Sequence, residues 1–238
     1  MNVVLMLAGG VGVRMGANIP KQFIEIHDKP IIAHTLDIFE KNDSIDAVEI
    51  VCVKGFEELL NQIIKKYKFK KVRWICEGGT TFNYSVYNGL KNLRDELSSE
   101  DLVMIHMSVA PFIGNDIIDD AIRVAKEKGN SISENPCYLC MGSHDTDEYS
   151  TKSVLRETIT GLNTPQTFHF GEIIGLYERA EQENILDNLE PHTTSVYYYY
   201  NIPLYFSKGS QMNIKITTQD DLELFEAFCI MKEKKVKC

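Results

Sequence analysis

Short apolar runs and segments with helical spacing of apolar residues alternate through the first half of the chain. Val3 to Leu7, Val48 to Val53, Val72 to Cys76 and Leu102 to His106 read as buried strands. Ile31 to Lys41, Phe56 to Lys66, about Asn83 to Arg94 and about Asn115 to Lys128 read as amphipathic helices between and after them. That order predicts an α/β protein with a mostly parallel sheet flanked by helices. From Gly129 to about Phe168 the period is lost. Two extended pieces, Cys137 to Met141 and Ser153 to Arg156, flank the polar stretch Ser143 to Glu148 and predict a protruding β-arm that meets a partner. The pattern then resumes with a helix from Gly171 to Gln182 and a strand pair, Leu204 to Phe206 and Asn213 to Ile216. Thr218-Gln219-Asp220-Asp221 is a variant capping box that opens the last helix. The length of 238 residues suits one domain, 1–238, with the arm inside 129–168.

Composition narrows the partners. The net charge of -9 argues against a nucleic-acid or anionic-membrane surface, so any anion site has to be local. The apolar run at the start, Val3 to Ala8, is too short for a membrane span or a signal peptide, and a cytoplasmic location is expected. Six cysteines spread through strand-like and helix-like segments have the pattern of reduced thiols. Cys137 and Cys140, with His144 nearby, are half of a tetrahedral zinc site and lack a fourth ligand, so no metal ligand is assigned.

The first strand runs into Leu7-Ala8-Gly9-Gly10-Val11-Gly12-Val13-Arg14-Met15-Gly16, followed by Pro20-Lys21-Gln22. Glycines let backbone N–H groups converge on phosphate oxygens, and Arg14 and Lys21 supply positive charge. A dinucleotide fingerprint starting at Gly10 and Gly12 fails at Met15, where close helix packing wants glycine. The G-x-x-x-x-G-K-[ST] loop has no match, since no Gly-Lys pair exists. What remains is the nucleotidyltransferase loop, G-G-x-G-x-R-M followed by P-K-Q.

Together with Glu77 to Leu90 (EGGTTFNYSVYNGL), Ile105 to Phe112 (IHMSVAPF), Gly161 to Phe168 (GLNTPQTF) and Met212 to Leu222 (MNIKITTQDDL), this loop resembles the cytidylyltransferases that make CDP-methylerythritol or CDP-ribitol. The resemblance spans essentially the whole chain. It implies a Rossmann-like nucleotidyltransferase fold, a homodimer formed through the arm, CTP and an alditol or sugar phosphate as substrates, and a divalent metal, usually magnesium, with no organic cofactor. It places Ala8, Gly9, Gly10, Arg14 and Lys21 at the CTP phosphates and Gly79, Thr80 and Ser85 at cytosine. Lys215 falls near the α-phosphate. Arg156, with Thr164 and Gln166 of the TPQ segment, falls at the acceptor, Arg156 reaching it across the dimer.

The pattern also breaks. Met107 and His192 stand where the resembling enzymes carry acids, and Ala110 and Phe82 where they carry arginines. Magnesium prefers carboxylate and phosphate oxygens, so the metal is expected only through the bound nucleotide. His106 and His192 are candidate transition-metal ligands if they meet, although a structural or hydrogen-bonding role is the stronger expectation. The reading is CMP transfer from CTP, against the alternative of a nucleotide-binding protein that has lost turnover.

Overall fold

The computed structural model describes residues 1–10 and 19–236, with side chains described through Met231. Its elements in chain order are β1 (Asn2–Ala8), the small pair β2 (Glu25–Ile26) and β3 (Lys29–Pro30), α1 (Ile31–Lys41), β4 (Ala47–Cys52), α2 (Glu57–Tyr67), β5 (Val72–Glu77), α3 (Phe82–Asn92), β6 (Leu102–Met107) and α4 (Asn115–Lys128). There follow β7 (Asn130–Pro136), β8 (Met141–Gly142), β9 (Ser153–Val154), β10 (Thr160–His169), α5 (Phe170–Gln182), α6 (Thr194–Tyr199), β11 (Phe206–Lys208) and α7 (Gln219–Val236).

The main sheet has seven strands among the described residues, in the order β11-β7-β10-β6-β1-β4-β5. β1 lies between β4 and β6, parallel to both, and β5 extends the parallel half beyond β4. β10 runs antiparallel to β6 and β7. Alternation along the strands splits the core into two layers. Val4, Met6, Val48 and Ile50 face α1, α2 and α4 through Ile32, Phe39, Leu60 and Ile118. Val3, Leu5, Val51 and Ile105 face α3, α5 and α6 through Val86, Leu90, Ile173 and Tyr197. This is the layered α/β arrangement expected of the alternating pattern. No described helix is long and apolar enough to cross a membrane.

Two boundaries differ from the sequence expectation. The stretch 129–168 is not wholly an excursion, because β7 and β10 pair within the main sheet along most of their length. Residues 137–159 alone leave it, and their pairing is the short β8–β9 ladder rather than the two longer extended pieces. Polar residues such as Ser131, Ser133 and Thr167 are fully buried in this part of the sheet, which hides the strand alternation. Asn213 to Ile216 forms no strand. It is held by side chains and isolated backbone bonds, while the strand nearby is β11, which pairs parallel with β7. The capping box at the last helix is present: Asp221 accepts from the N–H groups of Thr217 and Thr218, both at 2.8 Å, and Thr218 Oγ1 accepts from Asp221 N at 3.3 Å.

Glu49 and His106 are fully buried in the sheet, on opposite faces. Glu49 lies on the α3 side, where Asn92 donates to its Oε1 at 2.9 Å while Oε2 has no partner of ordinary length. Burial raises its pKa from 4.5 to about 7. His106 lies on the α1 side with its ring edge-on to Phe39, and burial lowers its pKa to about 4. Their pH effects oppose one another. Between about 4.5 and 7 the folded chain keeps a proton on Glu49 that the unfolded chain releases, so this stability falls as pH rises. Between about 6.5 and 4 the unfolded chain takes a proton that buried His106 refuses, so that stability falls as pH drops. Glu49→Gln is therefore expected to be more stable than the parent at pH 8, by at most about 3 kcal/mol for a shift of this size. The gain should vanish near pH 4.5. Urea unfolding at the two pH values measures it, and equal midpoints at pH 8 would show that the buried carboxylate carries no such cost.

Candidate functional site

The parallel strands deliver their C-terminal ends to one crevice. The chain passes from β1 outward through β4 to β5, then returns across β1 to β6, so the sheet order reverses beside β1. Crevices at such reversals are the usual ligand sites of open α/β sheets. Backbone bonds hold the ends level: Val53 N donates to Ala8 O at 3.1 Å, Gly78 N to Cys52 O at 2.8 Å and Ser108 N to Leu7 O at 3.0 Å. Above them lies a cavity of about 420 Å³.

Five segments line it among the described residues. Ala8, Gly9 and Gly10 leave β1, and Gly79 to Phe82 with Ser85 form the turn into α3. Met107, Ser108 and Val109 follow β6, and Lys21, Lys215 and Thr217 supply the remaining wall. The turn before α3 requires glycine at 79, since a Cβ there would stand 2.4 Å from Tyr84 Cβ. Gly79 N donates to Ser85 Oγ at 3.0 Å, Ser85 Oγ donates to Thr81 O at 2.9 Å, and Thr81 caps α3 by accepting from Tyr84 N at 3.3 Å. The helix therefore presents its N-terminal turn to the cavity.

Buried polar side chains set the lining in place. Gln22, absent from the sequence-derived site, donates through Nε2 to Ala8 O at 2.7 Å and Gly10 O at 3.0 Å and ties down the start of the glycine loop. The signal for it was its place in the Pro-Lys-Gln triplet. His106 Nε2 bonds Ala110 O at 3.0 Å, and Thr35 Oγ1 donates to Ser108 O at 2.9 Å, so the turn carrying Met107 to Val109 is pinned from below. Because burial keeps His106 neutral and Ala110 O accepts, Nε2 carries the proton.

The segment bearing Lys215 is strapped on both sides. Asn163 Nδ2 donates to Asn213 O at 2.5 Å and Asn213 Nδ2 donates to Thr164 O, a reciprocal pair between the segment and β10. On the other side Ile216 N donates to Val109 O, and Lys21 Nζ donates to Ile216 O, each at 2.8 Å. Lys21 and Lys215 are thus brought to the same wall.

Eight of the sequence-derived residues meet at this cavity: Ala8, Gly9, Gly10, Lys21, Gly79, Thr80, Ser85 and Lys215. Arg14 falls within 11–18, outside the described residues. Thr164 and Gln166 do not line the cavity. They are buried in β10, where the register shifts between Asn163 and Gln166, and Thr164 serves the wall through its carbonyl. Arg156 lies apart as well, exposed in a groove beside Cys137, Tyr138 and Phe206. His192 is exposed before α6, with Nδ1 2.6 Å from Thr194 Oγ1, and is not among the cavity residues. His106 sits under α1 on the other face of the sheet. The two histidines do not form a ligand pair, and no group of three His, Cys, Asp or Glu among the described residues is placed to hold a metal.

A family profile described as "IspD: 2-C-methyl-D-erythritol 4-phosphate cytidylyltransferase" matches residues 2–232. The chain belongs to this family. A ribitol-5-phosphate cytidylyltransferase of Lacticaseibacillus paracasei is 34% identical over 233 residues, covering 98% of this chain and 100% of that protein. A 2-C-methyl-D-erythritol 4-phosphate cytidylyltransferase of Clostridium acetobutylicum is 34% identical over 238 residues, with 100% of each chain covered. The crystal structure of the 2-C-methyl-D-erythritol 4-phosphate cytidylyltransferase of Francisella tularensis superposes with a TM-score of 0.79 at 27% identity, covering 94% of this chain and 98% of that one. The expected nucleotidyltransferase architecture is borne out.

The Asn213 pair predicts a measurable cost. Asn213→Ala removes the bond from its side chain and leaves the buried Thr164 carbonyl without that donor, a loss of about 1–3 kcal/mol, while the Asn163 bond to the main-chain carbonyl of residue 213 remains. Urea unfolding reads that loss, and an unchanged midpoint would show that the strap is held without Asn213.

Proposed function

We propose that the cavity holds CTP and that the chain transfers CMP from it to an alditol or sugar phosphate, giving a CDP-linked product and pyrophosphate. The observation carrying this reading is the convergence of the Ala8–Gly10 turn, the Gly79–Ser85 turn, Lys21 and Lys215 on one crevice at the strand ends. In the reaction an acceptor phosphate oxygen bonds to the α-phosphorus while the bond to the bridging oxygen of the β-phosphate breaks, and pyrophosphate leaves with that electron pair. Such a displacement is in line, and its catalysis is chiefly positioning and charge stabilisation.

Placement in the cavity supports the roles given to the described residues. Backbone N–H groups of the Ala8–Gly10 turn and the Lys21 ammonium receive the triphosphate, joined by Arg14. Gly79, Thr80 and Ser85 read the base at the entry to α3. Lys215 meets the charge that grows on the oxygens around the α-phosphorus. Relatives named for ribitol 5-phosphate and for 2-C-methyl-D-erythritol 4-phosphate support an alditol phosphate as acceptor.

The family implies magnesium, and the cavity lining does not fit it. Among the described residues no Asp or Glu lines the cavity, and Met107 offers a thioether. The loop 11–18 contains no acid either. A hard cation that wants several charged oxygens has no protein ligand here. The same absence favours a second reading, a protein that binds the nucleotide without turning it over.

The arm supports a homodimer. Tyr138, Leu139, Tyr149 and Leu155 are exposed apolar side chains on residues 137–159, and Arg156 lies beside them. A second copy covering this surface would bring Arg156 to the neighbouring subunit's acceptor. Sedimentation at tens of micromolar should show a dimer, a range in which a micromolar Kd, about -8 kcal/mol, holds most chains paired. A monomer removes the role given to Arg156.

Calorimetry tests the nucleotide site. Lys21→Ala should weaken CTP binding about ten- to hundredfold, as expected for losing one charge-assisted phosphate contact of about 1.5–3 kcal/mol. Unchanged affinity would sink the assignment of this wall. Pyrophosphate release with CTP and ribitol 5-phosphate or 2-C-methyl-D-erythritol 4-phosphate tests transfer. Without a positioned metal the rate should lie about a hundredfold or more below the ~1–1000 per second typical of enzymes. CTP binding with no product at all establishes the second reading.

A further inference from the structure

We infer that the cavity selects the metal-free nucleoside triphosphate over its magnesium complex, so that magnesium and the protein compete for the nucleotide. The inference rests on the reading of this cavity as a triphosphate site and concerns which ionic form enters it.

The charge on the wall is of one sign. Among the described residues Lys21 and Lys215 line the cavity and no carboxylate does. The sequence that follows Gly10, residues 11–18, contains Arg14 and no Asp or Glu. Asp221 acts electrostatically on Lys21, but its Oδ2 already accepts from the N–H groups of Thr217 and Thr218 at the start of α7. The side chain that follows β6 into the cavity is Met107, and Phe82 lies at the entry to α3. Neither offers a hard cation an anionic oxygen.

A free triphosphate carries about four negative charges, and a bound magnesium ion cancels two of them while occupying phosphate oxygens. A site with carboxylates recovers that loss by taking the metal as a shared ligand. Among the described residues this one meets the metal with cations, apolar atoms and neutral hydroxyl and amide groups, and with no anionic oxygen. The metal removes charge that Lys21 and Lys215 would otherwise pair with, takes oxygens that backbone N–H groups would otherwise reach, and brings its own charge toward two ammonium groups. All three effects weaken binding, and none is offset by a protein ligand. Coupling between two ligands is reciprocal, so the protein must in turn lower the affinity of the nucleotide for magnesium.

The test is CTP titration by calorimetry in EDTA and in excess magnesium chloride, at one ionic strength held with potassium chloride, so that screening is equal. The expected result is CTP binding at least about fivefold tighter in EDTA, the lower end of ordinary coupling between two ligands. CMP, which chelates magnesium weakly, should show a ratio near one. In Met107→Asp the preference should shrink or reverse, because a carboxylate then faces the phosphates. The result on the unaltered chain stands whether or not that variant folds. Equal or tighter CTP binding in magnesium overturns the inference and leaves the nucleotide site intact. No CTP binding in either buffer overturns the proposed site, and the inference with it.

Discussion

The site depends on the register that places β1 between β4 and β6. Ala8 pairs with Cys52 on one side, and Leu7 pairs with Met107 on the other, so three strands end at the same height. Apart from Glu49 and His106 their buried side chains are apolar on both faces, and a slip of one residue would exchange the two faces of β1. Such a slip would also carry the Ala8–Gly10 turn away from the Gly79 turn and from Met107. The geometry of the crevice is therefore set by the same packing that stabilises the sheet.

What the sheet does not set, buried polar side chains do. Gln22, Thr35, His106 and Asn213 each fasten a backbone carbonyl in or behind the lining. Each lies where desolvation makes an unpaired polar group costly, so each bond resists opening more than a surface bond would. The result is a lining held from behind, with flexible side chains, two lysines, reaching into the space. Such a division suits a reaction in which positioning does most of the work.

The legible and illegible parts of the sequence separate along physical lines. The helices from Ile31 to Lys41 and from Asn115 to Lys128 match the structure at both ends, since each has a clear apolar stripe and a turn on either side. The glycine loop and Lys21 were legible because backbone approach and positive charge leave a direct mark on residue type, whereas Gly79, Ser85 and Lys215 were reached through the family resemblance. Thr164 and Gln166 stand outside the cavity lining, since a motif shows which residues recur together, while burial in β10 makes Thr164 a backbone anchor for the Lys215 segment. Gln22 and Asn213 were missed as positioning groups for the same reason. Their work is done by side-chain amides on carbonyls distant in sequence, and no spacing rule reports that. Residues 213–216 read as a strand because Ile214 and Ile216 alternate with polar neighbours, yet the segment is fastened at single points rather than along a ladder.

The pocket keeps its shape while its charge departs from that of a metal-dependent transferase. Relaxation of an unused site would be expected to let the lining drift as a whole, backbone turns and cations along with acids. Here the glycine at 79, which a Cβ would drive into Tyr84, the Gln22 bonds behind the loop and the reciprocal Asn213 pair all remain in working geometry. At the two positions where the resemblance leads one to expect acids, Met107 is half-buried in the lining and His192 turns to Thr194 outside it. A wall that retains lysines without carboxylates has a specific electrostatic consequence: it holds an anion more firmly in the ground state and has less to offer the metal-assisted transition state. Binding that strengthens the ground state and the transition state alike does not raise turnover. The physical logic of the site therefore points toward holding a nucleotide, with transfer limited by the absence of a group that acts only as the α-phosphorus changes partners.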